Sequence, residues 1–119
     1  MKILQICYDL KNASEERYQN IIEAINRLGN AEHAQLSVWI LRTNLSANRV
    51  RDILSPHMRQ TDSLLVTEIT AMASHNVPDA AFRLVKRTWN QPIPTININQ
   101  PFPLIPKLNQ PYNPLNKTL

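Results

Sequence analysis

The distribution of proline divides this chain into two chemically different parts. Seven of the nine prolines lie between Pro92 and Pro114, and the two others are Pro56 and Pro78. Each proline fixes φ and removes an amide donor, so the C-terminal part is excluded from central strands and helix interiors and is predicted to be extended. The packed domain must therefore come mainly from the residues before Pro92, and a chain of 119 residues has room for one hydrophobic core.

Charge follows the same division. Residues 1–79 carry eight basic and nine acidic side chains, whereas residues 80–119 carry five basic side chains and no acidic one. The formal net charge of +4 therefore arises from −1 in the first part and +5 in the second. Because Lys and Arg drive phosphate binding, the C-terminal part would have to supply most of the positive field for a nucleic acid.

Several classes of protein are excluded by composition. The single cysteine, Cys7, cannot form an internal disulfide, and three scattered histidines give no zinc-ligand spacing. The single glycine, Gly29, cannot build a phosphate-cradling loop, which excludes Walker and Rossmann enzymes. No apolar run approaches the ~18 residues that cross a bilayer, and the N-terminus lacks the regions of a signal peptide. We expect a cytoplasmic protein without a membrane partner.

The first half of the chain predicts a strand followed by a helix. Residues 3–8 are apolar on both alternations apart from Gln5, which is typical of a central strand. Ser14 precedes two glutamates, as at the N-terminus of a helix. Apolar residues then recur at helical spacing as far as Leu28, and Gly29 is predicted to end this helix in a left-handed conformation.

The next segments predict strands around a second helix. Residues 32–41 alternate between apolar and polar side chains, which indicates one long strand or two strands joined by a kink near Ser37. Ser46 caps a second helix that runs to about Met58, with His57 on its inner face. After Asp62 the run SLLVTEI predicts a further strand. Pro78-Asp79 begins a short basic helix that is predicted to reach about Thr88.

This order of elements predicts an α+β fold, a ferredoxin-like βαββαβ open sheet with two helices on one face. The predicted organisation is a ferredoxin-like domain over residues 1–76, a short amphipathic third helix over residues 77–89 and a proline-rich extended tail over residues 90–119.

Four local patterns follow one another within residues 2–70. They are an apolar strand that ends in Tyr8-Asp9, the stretch Gln35-Leu36-Ser37-Val38-Trp39, the Leu45-Ser46 helix entry and Asp62 at the start of the last strand. In this order they resemble the small CRISPR-associated nuclease and adaptor family, the second Cas protein, with its SinR-like and virulence-associated protein D relatives. The resemblance implies a ferredoxin-like homodimer that binds nucleic acid, RNA or duplex DNA, in a defence, plasmid or toxin-type system.

The same resemblance implies a catalytic site. Some members of that family cleave RNA or DNA with a divalent metal held between two copies of the first-strand aspartate, and others are non-catalytic adaptors. Carried over, Asp9 of both protomers becomes metal ligand and catalytic residue, magnesium or manganese becomes the cofactor, and Ser37 lies near the phosphate path. Magnesium prefers oxygen ligands and needs one or two carboxylates besides the substrate phosphate.

Ordinary structural roles compete with these assignments. An aspartate after a strand is common turn chemistry, and Ser37 equally suits a kink between strands. Glu68 is the other carboxylate that can approach Asp9, because the first and last strands should be neighbours, and the sequence leaves open which side Glu68 faces. Cys7 inside an apolar strand predicts an inert thiol.

Five basic residues are candidates for nucleic-acid contact, with a solvated mixed-charge surface as the competing interpretation. They are Arg42, Arg49, Arg83, Lys86 and Arg87.

The tail has two interpretations as well. Trp89, Phe102 and Tyr112 lie among basic residues, a pattern that suits stacking on single-stranded bases. The isoleucines and leucines between them are too apolar for a free tail and favour packing on a protein surface. The alternative function is therefore a non-catalytic interaction or adaptor module that binds a protein partner through the tail.

Overall fold

The computed structural model describes residues 1–90, which form one four-stranded sheet and three helices. The elements in chain order are β1 (Lys2–Asp9), α1 (Glu15–Asn26), β2 (Asn30–Gln35), β3 (Val38–Thr43), α2 (Ala47–Leu54), β4 (Ser63–Glu68) and α3 (Asp79–Trp89). The strand order is β2-β3-β1-β4, and neighbouring strands are antiparallel. This confirms the predicted α+β, ferredoxin-like arrangement. The predicted tail lies outside the described residues beyond Asn90.

Strand β1 is central because its side chains are apolar on both faces. Leu4, Ile6 and Tyr8 are buried in the core that α1 and α2 form on one side of the sheet. Ile3 is buried in a second core on the other side. The placement of β1 between β3 and β4 confirms the sequence prediction.

Helix α1 begins where the sequence indicates. The Ser14 side chain accepts a hydrogen bond from the Arg17 backbone N–H at 3.3 Å. Gly29 does not adopt the predicted left-handed conformation, because its φ of +159° is far from the left-handed helical region. Glycine is needed there because a Cβ would collide with the carbonyl oxygen of Arg42, where the chain enters β2.

Helix α2 is shorter than predicted. It ends at Leu54 and continues as one 3₁₀ turn, Ser55–His57. Pro56 explains the change, because it has no N–H to bond the carbonyl four residues earlier. His57 is consequently exposed, whereas the sequence placed it on an inner helix face.

The segment around Ser37 forms a hairpin, which confirms the two-strand alternative. Strands β2 and β3 are joined through Leu36 and Ser37, and the register shifts between His33 and Gln35. The His33 ring stacks on the Trp39 indole with centroids 4.7 Å apart. Leu36, at the tip, is 89% exposed.

Helix α3 covers the sheet face opposite α1 and α2. Its buried residues Ala81, Leu84 and Val85 pack with Ile3 and Ile40. Its contacts with the sheet are mainly to β2 and β3. No helix within residues 1–90 is long and apolar enough to span a bilayer.

Candidate functional site

Asp9 is the last residue of β1, and its side chain is 62% exposed. In antiparallel pairs directly opposite residues share a face, so the register places Asp9 with Ser63 and Cys7 with Leu65. Alternation along β1 puts these residues on the same face as Ile3, which α3 covers. The Asp9 carboxylate therefore lies at one end of the α3 face of the sheet.

Lys11 is the polar partner of Asp9 in the monomer. Its Nζ donates to Asp9 Oδ2 at 2.9 Å. This hydrogen bond and the negative charge raise the pKa of Lys11. Both side chains are more than half exposed, so the pair is worth little in stability and can separate when a stronger ligand approaches Asp9.

Asp62 organises the loops beside Asp9. Its side chain is fully covered and accepts hydrogen bonds from the backbone N–H of Lys11 at 2.8 Å and of Arg59 at 2.7 Å. The Arg17 guanidinium also donates to it. These donors, led by the Lys11 N–H, lower the pKa of Asp62 to about 2. Asp62 thus fixes the segment that carries Lys11 against α1 and the start of β4.

Ser37 lies at the same end of the sheet as Asp9. Its carbonyl oxygen accepts a hydrogen bond from the Tyr8 backbone N–H at 3.1 Å. Beneath it, the Trp39 indole N–H donates to the Tyr8 hydroxyl at 3.1 Å, and burial raises the pKa of that hydroxyl. The hairpin and the end of β1 are therefore joined through both backbone and side chains.

Glu68 does not approach Asp9 within one chain, which corrects the sequence expectation. Strands β1 and β4 are neighbours, but their register places Glu68 opposite Leu4 and Ser63 opposite Asp9. The antiparallel direction therefore puts the two carboxylates at opposite ends of the strand pair. Leu4 belongs to the core under α1 and α2, so Glu68 also lies on the other face.

One carboxylate, that of Asp9, is available here to a divalent metal ion. Within residues 1–90 no group of three or more His, Cys, Asp and Glu side chains is placed to share a metal ion. One oxygen of Asp9 already accepts from Lys11. Magnesium can be held by one or two carboxylates together with substrate phosphates, so the residues present fit such an ion only if a second Asp9 joins the first.

Part of the α3 face beside Asp9 is not covered by any of residues 1–90. Leu65, on the edge strand β4, is 60% exposed, and Cys7 opposite it is partly exposed. Helix α3 contacts β2 and β3 more extensively than it contacts β1. We call the strip formed by Cys7, Asp9, Ser63 and Leu65 the open strip. Strand β4 is an edge of the sheet within residues 1–90, and the free backbone groups of an edge strand can pair with another chain.

The basic residues of α3 are brought together on its outer face. Arg83, Lys86 and Arg87 line an open hollow of about 310 Å³ with Asn90. Arg83 lies 3.8 Å from Asp79, and the Lys86 ammonium lies 5.8 Å from the centre of the Phe82 ring. The spacing of three and four residues explains the grouping, since such positions share one side of a helix.

Arg42 and Arg49 are not part of that group. Arg42 pairs with Ile3 and Asn30 at the end of the sheet remote from Asp9, and its Nε is buried without a hydrogen-bond partner among the described residues. Arg49 is exposed in the first turn of α2. Neither residue adjoins Asp9.

Two features of this region do not follow from the sequence patterns. Lys11 is the partner of Asp9, and a cation two residues after a candidate ligand is a usable signal. Asp62 marks the entry of the last strand in the sequence, but its role depends on Lys11 and Arg17, which are distant along the chain. No sequence pattern predicts that convergence.

Comparison with known proteins gives a limited result. No family model matches the chain, and no curated protein matches it. Among solved structures, the chain is similar to the crystal structure of a hypothetical protein, TT1823, from Thermus thermophilus. The two share 19% sequence identity with a TM-score of 0.44, over 65% of this chain and 94% of that chain.

Proposed function

We propose that this chain is a nucleic-acid-binding protein of the CRISPR-associated and virulence-associated protein D type, which acts as a homodimer. Asp9 of both protomers would hold a divalent ion, magnesium or manganese, for hydrolysis of RNA or DNA phosphodiesters. The observation that carries this proposal is the exposure of Asp9 at the end of the open strip, beside the exposed Leu65. Two copies that meet on this strip would bring two Asp9 carboxylates to one interface.

The charges of the same face support a polyanionic ligand. Helix α3 packs on the sheet face that carries Asp9, and its outer side presents Arg83, Lys86 and Arg87. These cations would contact phosphates without reading sequence. A divalent ion at Asp9 would supply Lewis-acid stabilisation of a phosphate, while Lys11 would balance the carboxylate charge when no ion is bound.

Cleavage by the full chain tests the catalytic part of the proposal. Structured RNA and duplex DNA would be incubated with magnesium or manganese, and with a chelator in parallel. We expect Asp9→Asn to reduce cleavage by about a hundredfold or more, because the ion loses its protein ligand. Asp52→Asn is the matched control, since Asp52 is also exposed and paired with a neighbouring cation, Arg51, at 2.9 Å.

Two results would contradict catalysis at Asp9. One is equal cleavage by the wild-type chain and Asp9→Asn, and the other is no cleavage by either. A third result, cleavage that survives the chelator, would remove the metal from the proposal.

A non-catalytic interaction module is the second candidate. The observation that favours it is the Lys11 ammonium on Asp9, which already neutralises the one carboxylate of the site. In that case the chain would associate with a protein partner, or with itself, without cleaving nucleic acid. Removal of residues 91–119 should then abolish association measured by sedimentation, while residues 1–90 retain both hydrophobic cores.

A further inference from the structure

A cavity lies on the α3 face, apart from Asp9. The segment between β4 and α3 crosses this face and borders this half-open cavity of about 250 Å³. Val38 and Ile40 of β3 form its floor, and Met72 and Val77 of the connecting segment lie over it. The floor and cover belong to the same buried cluster as the inner side of α3.

The polar residues that line this cavity are uncharged. Gln5, Gln35 and Ser74 are among its lining residues, and no described lining residue is charged. Gln5 Nε2 has a weak contact with Cys7 Sγ at 3.5 Å, and Gln35 has no side-chain hydrogen bond within residues 1–90. An uncharged lining disfavours phosphates, carboxylates and metal ions, whose burial requires opposite charge or ligands.

Size and chemistry together favour a nucleobase. With about 30 Å³ for each water molecule, the cavity has the volume of about eight waters, which leaves room for a small planar ring system. Gln carboxamides pair with the donor and acceptor edges of bases. Aliphatic side chains and a methionine on both sides suit the faces of a planar ring.

We infer that this cavity binds a single uncharged nucleobase, with Gln5 and Gln35 contacting its polar edge. The base belongs to a free nucleoside or to an unpaired nucleotide of a strand whose phosphates contact α3. The inference does not depend on hydrolysis at Asp9.

Titration of the full-length chain with nucleosides tests the site. Uridine, cytidine, adenosine and guanosine carry no phosphate, so the basic surface of α3 contributes little to their binding. We expect at least one nucleoside to shift the side-chain amide signals of Gln5 and Gln35 in NMR spectra, with saturation in the millimolar range. A short unpaired oligonucleotide of the same base should saturate at lower concentration if the base comes from a strand, and an abasic oligonucleotide should leave these signals unshifted.

Two variants and one control keep the test specific. Gln35→Leu removes one polar group at nearly constant volume, and Ala73→Phe places an aromatic ring at the cavity wall from an exposed position. Each should weaken nucleoside binding at least tenfold. Ala47→Phe, in the first turn of α2 and outside the cavity lining, should bind like the wild-type chain. Circular dichroism and the unfolding midpoint would confirm that all three are folded.

Three outcomes would overturn the inference. They are no saturable shift with any nucleoside, equal binding by the wild-type chain and both cavity variants, and nuclear Overhauser contacts from the Val38 and Ile40 methyls to residues 91–119. The last would show that the chain's own tail fills the cavity. None of these outcomes bears on cleavage at Asp9, which the Asp9→Asn experiment tests separately.

Discussion

At the scale of single residues, the Asp62 carboxylate is held by three hydrogen-bond donors. Three donors from Lys11, Arg17 and Arg59 reach a side chain that is fully covered. Each donor favours the ionised carboxylate, so protonation would break the cluster that holds the loop after β1.

Asp62 should make the folded state sensitive to acid. Its pKa is lowered from 3.8 to about 2, so its contribution is complete above about pH 4 and is lost as the pH falls toward 2. We expect Asp62→Asn to be less stable than the wild-type chain at pH 7 and to show a smaller loss of stability between pH 4 and pH 2. Thermal unfolding across this range would measure both effects. Asp52→Asn, which removes an exposed carboxylate, should keep the wild-type pH profile.

Gly29 should tolerate no larger residue. A Cβ at this position meets the Arg42 carbonyl, which is backbone and cannot rotate away. We expect Gly29→Ala to reduce the free energy of unfolding by about 1–3 kcal/mol, as overpacking does elsewhere. Urea unfolding would measure it, and Asn30→Ala at the adjacent exposed position is the control. Equal midpoints for the two variants would show that β2 and β3 can move apart at this point.

At the scale of elements, α3 is integral to the sheet it covers. Leu84 is 1% exposed in a core formed with β1, β2 and β3, whereas Leu36 at the hairpin tip is 89% exposed. We expect Leu84→Ala to lower stability by about 2–4 kcal/mol, because it leaves a cavity, and Leu36→Ala to change it by less than about 0.5 kcal/mol. If both substitutions gave small changes in urea unfolding, α3 would not be docked on the sheet in solution.

The outer side of α3 should determine how salt affects nucleic-acid binding. Replacement of Arg83, Lys86 and Arg87 by Gln removes three cations from one side of the helix. If all three contact phosphates of duplex DNA, the slope of log affinity against log salt should become less steep by about 2.7. Fluorescence anisotropy at several salt concentrations would measure it. A triple variant of Arg27, Arg51 and Arg59, which are exposed and lie outside α3, is the matched control, and an equal effect in both would indicate nonspecific attraction.

At the scale of the whole molecule, the open strip is the surface through which two copies are proposed to meet. Leu65 is 60% exposed on an edge strand, beside Cys7 and in line with Asp9. We expect Leu65→Arg to shift a dimer to monomer in sedimentation and to reduce cleavage together with association. Leu36→Arg, an equally apolar and more exposed position, should leave association unchanged. A dimer that survives Leu65→Arg would place the interface elsewhere and separate the two Asp9 residues.

Most of the architecture could be predicted from local patterns. Short segments carry the apolar run of β1, the Ser14 and Ser46 caps and the proline before α3, and the structure confirms each of them. The wrong predictions concern residues whose surroundings are set by segments distant along the chain. Position 29 requires glycine because the Arg42 carbonyl lies too close for a Cβ. Glu68 is separated from Asp9 by the strand register, which local patterns leave open.

Local patterns in the sequence are enough to give the order of elements, the central position of β1 and the division between a near-neutral domain and a basic, proline-rich C-terminal part. These follow from periodicity, capping and backbone restriction, which act over a few residues. Long-range packing places α3 on the sheet face of Asp9, brings three donors to Asp62 and forms a cavity beside the segment after β4. Such features depend on long-range packing, because burial and hydrogen bonding bring together residues that no local pattern relates.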